Sequence, residues 1–309
     1  MSDDRVRRRT HLARVGVTAL NLIAPGLGIA RLGNWRLAVP FIVAPFVCIA
    51  LVNFSMGHFP VSSFSGALLG LLLLVSLLVA LYLVPAVLTW RGSGDYSPAR
   101  GWSRWYGLTI IAVVVLTLSR LAPALAHRFY RPFYAPSESM APILGKGDKF
   151  IADMMWRGPL RRGEMIIVNS ASGIRGGRVV GMAGDRVAMR SGVPIVNGKA
   201  ASQTREGSES FVGSDGVQSA TALTERLPGE ATQHRVLDTG PSQFDEMPEF
   251  LVPSGYVFIL GDNRDRAADS RVPPELGGLG MVPLSAVAGR QLYIYWSRNR
   301  SRIGSRLDR

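Results

Sequence analysis

Cysteine is almost missing from this chain of 309 residues: Cys48 stands alone, inside an apolar run. It has no partner for an intramolecular disulfide, and a thiol in apolar surroundings is poorly reactive. Histidine is scarce, with four residues, and no Cys or His grouping has the spacing of a metal site. Neither a metal nor a cofactor is expected. Lysine is rarer still, confined to Lys146, Lys149 and Lys199, so the formal charge of +13 is carried almost wholly by arginine. A basic balance often marks nucleic-acid binding, but there is no helix-turn-helix, zinc-finger or aromatic RNA-binding signature, so no nucleic-acid partner is expected. The glycines around 181–184 lack phosphate-loop spacing, and internal repeats are absent.

Long apolar runs are present, and they crowd into residues 1–126. Segments 37–56 and 65–89 are each long enough to cross a bilayer, which takes roughly 20 apolar residues. A third, 105–126, carries Arg120, which can snorkel to the headgroups. Segment 12–30 contains Asn21 and the Ala24-Pro25-Gly26 break, and reads as interfacial or re-entrant. Arg5, Arg7, Arg8, Arg9 and Arg14 precede it and Arg31 and Arg36 follow it, so both of its ends belong on the cytoplasmic side. The loop 57–63 has no Lys or Arg and belongs outside; the loop 91–104 has three arginines and belongs inside. Three crossings then place residues 127–309 on the outer face of the membrane, whereas a fourth, through 12–30, leaves them in the cytoplasm; Arg128 and Arg131 run against the outer placement. The arginines of the spans and of the C-terminus (Arg298, Arg300, Arg302, Arg306, Arg309) suit anionic lipid headgroups, making membrane lipids a partner. The N-terminus lacks the short apolar core and small-residue site of a cleavable signal peptide.

Residues 127–309 read as a β-rich domain. Short apolar runs separated by Gly, Pro and Asp predict strands at 150–156, 164–169, 178–182, 186–189, 193–196, 256–260 and 290–296. Asn197-Gly198 is a two-residue hairpin signal. The stretch 199–250 is polar and weakly patterned, as expected of a long insertion or small subdomain. The predicted fold is therefore an all-β domain with a polar insertion, preceded by an α-helical transmembrane region.

Four motifs in a fixed order carry a resemblance. Pro136-Ser-Glu-Ser-Met-Ala-Pro142 resembles the nucleophile box of bacterial type I signal peptidases, serine peptidases of family S26. Arg161-Arg-Gly-Glu-Met-Ile-Ile-Val168 and Arg178-Val-Val-Gly-Met-Ala-Gly-Asp185 are similar to the next two boxes. Gly261-Asp-Asn-Arg-Asp-Arg-Ala-Ala-Asp-Ser-Arg271 is similar to the last and most specific. The likeness spans about 133–297 and rests on the combination, since any one box alone is weak. It implies a membrane-bound endopeptidase that removes signal peptides from exported preproteins after small (Ala-x-Ala) residues. By position, Ser139 is the nucleophile, and the Ser139 N–H and Ser137 hydroxyl form the oxyanion hole. Asp262, Arg264, Asp265, Asp269 and Arg271 are then structural ties around the site. Met140 and the 150–156 strand offer apolar surface, either for a membrane-dipping face or for ordinary core packing.

A serine hydroxyl needs a base to take its proton. The resemblance places a lysine where this chain has Gly177, and a serine supporting that lysine where it has Ala267. Arg175 shares the strand face but stays protonated. Lys146 and Lys199 lie in turns, His234 lies in the insertion, and Lys149 is a weak substitute. Two readings stay open: a peptidase working through Ser139, or an inactive pseudopeptidase acting as a membrane-tethered peptide-binding or scaffold protein. A self-cleaving repressor-type Ser/Lys protein also needs the lysine.

Overall fold

The computed structural model describes residues 3–58, 64–93, 101–126, 128–213 and 216–307. Two compact units divide near residue 130. Among the described residues the first holds five α-helices: α1 (Asp3–Ile23), α2 (Leu27–Arg31), α3 (Trp35–His58), α4 (Phe64–Gly92) and α5 (Trp105–Ala126). Within α3, Trp35–Val52 is long and apolar enough to cross a membrane, as is the whole of α4; the apolar stretch of α5 is shorter, Trp105–Leu118. Leu68, Leu69, Leu71, Leu72 and Leu73 of α4 are all exposed, a surface suited to lipid rather than water.

Segment 12–30 breaks where its Pro-Gly pair predicts. Gly26 turns the chain at φ 85°, and a Cβ there meets the Ala38 carbonyl oxygen at 2.7 Å. The buried Asn21 closes the turn. Its Oδ1 accepts from the N–H groups of Gly26 (3.0 Å) and Gly28 (3.2 Å), and its Nδ2 donates to Thr89 Oγ1 at 2.9 Å and to the Thr18 carbonyl at 3.1 Å. The amide thus supplies acceptors to a helix start that has no water to turn to.

The second unit is built of antiparallel strands: β1 (Tyr130–Tyr134), β2 (Lys149–Asp153), β3 (Met165–Ser170), β4 (Gly173–Met182), β5 (Arg186–Arg190), β6 (Val193–Val196), β7 (Lys199–Ala200), β8 (Ser202–Gly213), β9 (Gly216–Arg226), β10 (His234–Asp238), β11 (Met247–Leu251), β12 (Tyr256–Leu260), β13 (Val282–Pro283) and β14 (Val287–Trp296). They form a seven-stranded sheet ordered β1-β2-β14-β3-β4-β12-β13, a four-stranded sheet β11-β5-β6-β7 and a three-stranded sheet β10-β9-β8. The continuous apolar runs Met165–Val168 and Phe258–Leu260 lie wholly inside, as such runs predict. Asn197 and Gly198 both have positive φ, 51° and 74°, the signature of a tight hairpin.

Two strand bounds needed revision. The strand expected to run to 156 stops at Asp153, whose Oδ1 accepts from the Met155 N–H at 3.0 Å and turns the chain away. β4 starts at Gly173 rather than 178, hidden from propensity by three glycines. The weakly patterned stretch 199–250 carries the paired strands β8 and β9, followed by β10 and β11. Much of β8 is exposed, so its alternation is of polar and small residues and leaves little hydrophobic signal.

Candidate active site

The segment between β1 and β2 is held as a compact turn. The Ala141 N–H donates to the Glu138 carbonyl at 2.9 Å and the Leu144 N–H to the Met140 carbonyl at 2.8 Å. Met140 is buried with Leu144, Phe150, Ile167 and Ile294. Of the two roles open to it, core packing is the one it fills, and burying such a side chain contributes about 2 kcal/mol to holding the turn. Ser139 is next to this anchor and half-buried, while Ser137 is exposed. Their hydroxyl oxygens lie 3.2 Å apart.

The turn is tied to the loop after β12. The Asn263 N–H donates to the Ser139 carbonyl at 3.0 Å. A Cβ at Gly261 comes within 2.6 Å of that same oxygen and 2.2 Å of Ala267 Cβ, so this approach needs glycine. A tie from much further along the chain is absent from the sequence reading: Arg302 donates to the carbonyls of Pro142 and Ile143, each at 2.7 Å, and pairs with Asp148 at 2.8 Å. Those contacts span about 160 positions, and no local pattern marks them.

Ser137 and Ser139 line a cleft of about 360 Å³. Its walls come from β1 (Phe133, Tyr134), β2 (Phe150), β3 (Ile167), β4 (Ile174 to Gly176) and β14 (Gln291), with Gly261 and Arg266 to Asp269 on the far loop. Among these lining residues there is no lysine and no histidine. Lys146, Lys149 and Lys199 are exposed, and Lys149, the substitute base considered above, holds its Nζ 5.0 Å from the Trp296 ring centroid. Arg175 lines the cleft but gives its guanidinium to Ser172 Oγ (2.8 Å) and the Gly277 carbonyl (3.3 Å). A Cβ at Gly177 lies 2.7 Å from Ile259 Cδ1 and 3.2 Å from its Cβ. Ile259 therefore fills the space a side chain at 177 enters.

The comparisons with known proteins bear on this arrangement. The family described as signal peptidase, peptidase S26, matches residues 102–296, well over half of the chain. It belongs to the signal peptidase S26 family. A signal peptidase I of Bacillus licheniformis is 28% identical over 204 residues, 64% of this chain and 90% of its own. Signal peptidase I U of Bacillus subtilis is 24% identical over 61% of this chain and 87% of its own. A signal peptidase I from Enterococcus faecalis, known from its crystal structure, aligns at 23% identity over 44% of this chain and 98% of that one, with a TM-score of 0.26.

The last S26 box of this chain is a buried lattice of charge. Arg178 forks onto Asp262 at 2.7 and 2.6 Å, Arg264 grips Glu225 of β9 through both terminal nitrogens, and Arg271 pairs with Asp269 at 2.8 Å. His234 Nδ1 lies 2.8 Å from Glu230 and its Nε2 3.3 Å from Glu225, the latter off the line of a hydrogen bond. With His234 protonated, four cations (Arg178, Arg264, Arg271, His234) face four carboxylates (Asp262, Asp269, Glu225, Glu230), all buried. Burial opposes charge on Glu225, but Arg264 and His234 outweigh it and hold the carboxyl far below the usual range. Burial and Arg178 oppose charge on His234, and Glu225, Glu230 and Asp262 outweigh them and raise its pKa. Asp265 stands apart from this lattice and accepts from Thr239 N–H at 2.7 Å. His234 is thus far from idle: its strand reaches the loop after β12, where the Leu237 N–H donates to the Asp262 carbonyl at 2.8 Å.

Proposed function

We propose that this chain is a membrane-bound serine endopeptidase of the signal peptidase I kind, which takes the signal peptides of exported preproteins into the Ser139 cleft and cleaves after small residues. Ser139 is the nucleophile and Ser137 the hydroxyl donor to the oxyanion. The observation that carries the reading is the pair of hydroxyls 3.2 Å apart in a cleft walled by Phe133, Tyr134, Phe150 and Ile167, their turn fixed by Met140, Asn263 and Arg302. The chain sits in a bacterial inner membrane as a multi-pass protein with its β unit outside, a reading supported by the arginine distribution and the apolar helices. Attack by a hydroxyl without a base is slower by several orders of magnitude, so turnover is low. A second reading, a peptide-binding pseudopeptidase, is favoured by Gly177, the Ile259 side chain lying against it and Ala267.

The test is cleavage of a model preprotein by detergent-purified full-length protein. Slow cleavage that vanishes in Ser139→Ala is the expected outcome. No cleavage by the native chain, with turnover in Gly177→Lys/Ala267→Ser/Ile259→Ala, establishes the binding role instead.

A further inference from the structure

Gln291 breaks a local rule. It lies fully buried on β14, beside the apolar Leu292 and Ile294. Its Nε2 donates to the Ile166 carbonyl at 3.1 Å. That carbonyl can only accept, which fixes the orientation of the amide and leaves Oε1 as an acceptor. This Oε1 is buried with no hydrogen-bond partner among the described residues. A half-satisfied buried amide is less stable than an apolar side chain of the same shape, so packing alone gives no reason for a glutamine here. Residues that violate local rules without structural compensation concentrate at functional sites.

The surroundings point to a ligand. Gln291 lines the same cleft as Ser139, as does Gly176, and a Cβ on Gly176 comes within 2.7 Å of Gln291 Nε2. The amide thus lies against bare backbone, in space that any other residue at 176 would claim. The other walls near it, Phe150, Ile167 and Leu144, are apolar and offer Oε1 no donor.

We infer that Gln291 sets a substrate preference: Oε1 accepts the hydroxyl of a serine at one of the small-residue positions of the bound signal peptide. Oε1 is closed to solvent, so the hydroxyl meets it through a small turn about the terminal torsion, which is soft in glutamine. A short donor suits an amide that lies against the bare backbone of Gly176. An alanine at that position fits the space but leaves the acceptor unpaired; a valine adds bulk and brings no donor. The inference rests on the peptide-binding part of the function proposed above and is independent of whether Ser139 turns over.

The experiment measures binding rather than cleavage. Full-length protein in phosphatidylethanolamine/phosphatidylglycerol nanodiscs is titrated with fluorescent signal peptides ending Ala-x-Ala, Ser-x-Ala, Ala-x-Ser or Val-x-Ala, read by polarisation. One of the two serine peptides is expected to bind about five- to tenfold more tightly than Ala-x-Ala, the effect of one paired acceptor. Gln291→Leu, which keeps the volume and removes the acceptor, is expected to abolish that preference while still binding Ala-x-Ala. Equal affinity of the native protein for the serine and alanine peptides overturns the inference, whatever the variant does, and leaves the peptide-binding reading standing. Binding to none of the four overturns both.

Discussion

At the scale of single residues, the site is defined as much by what fills a space as by what is missing. Gly177 carries no side chain, and Ile259 occupies the volume that one would enter. Gly177→Lys with Ala267→Ser alone is therefore expected to lower the thermal midpoint and leave cleavage no faster than in the native chain. Adding Ile259→Ala is expected to recover the midpoint and speed cleavage; faster cleavage without that third change counts against the steric account. Arg302 has the opposite character, a residue with no local signature and four bonds to the nucleophile turn and Asp148. Arg302→Ala leaves the largely buried Asp148 carboxylate short of its cation and should cost about 2–4 kcal/mol, measured by thermal unfolding. Arg302→Lys, a point charge without the fork, should recover only part. A loss below about 0.5 kcal/mol, the level of an exposed ion pair, contradicts this role.

Among the elements, the α1–α2 turn depends on a polar group inside. Asn21 satisfies two N–H groups and Thr89 at once, in apolar surroundings where an unsatisfied group costs several kcal/mol. Asn21→Ala is expected to open the turn and shorten the lifetime of the folded protein in detergent. Asn21→Asp keeps the two accepted bonds but loses the donor to Thr89, and should fall between; a midpoint unchanged in Asn21→Ala refutes the assignment. Sequence reading located this break from Ala24-Pro25-Gly26, because proline and glycine act locally. The Asn21–Thr89 contact lay beyond it, because it joins residues 68 positions apart.

For the molecule as a whole, the buried lattice couples pH to stability. His234 has a folded pKa above its ordinary 6.5. Its contribution is therefore complete below about pH 6.5 and is lost as pH rises through the raised value. Glu225 is depressed below its ordinary 4.5, so its contribution is present above that pH and lost as pH falls toward the depressed value. Stability of the β unit should peak between about pH 5 and 6.5 and decline on the alkaline side. Thermal unfolding across pH 5 to 9 checks this, and His234→Gln is expected to flatten the alkaline limb. An alkaline limb of the same steepness in that variant assigns it to another group.

Sequence alone determined the apolar helices of the first part, the β character of the second and membership of the S26 family. Each of these is local: a run of apolar side chains, a turn residue, or a short motif whose members act within a few positions. Only the tertiary structure decided that His234 belongs to the lattice of the loop after β12, that Ile259 occupies the space beside Gly177, that Arg302 clamps the Ser139 turn, and that Gln291, with an unpaired acceptor, lines the cleft. These depend on strand order, which sets β14 beside β3 and brings β10 against the loop after β12. Pairing of distant strands is fixed by global packing and register, and no window of sequence contains both partners.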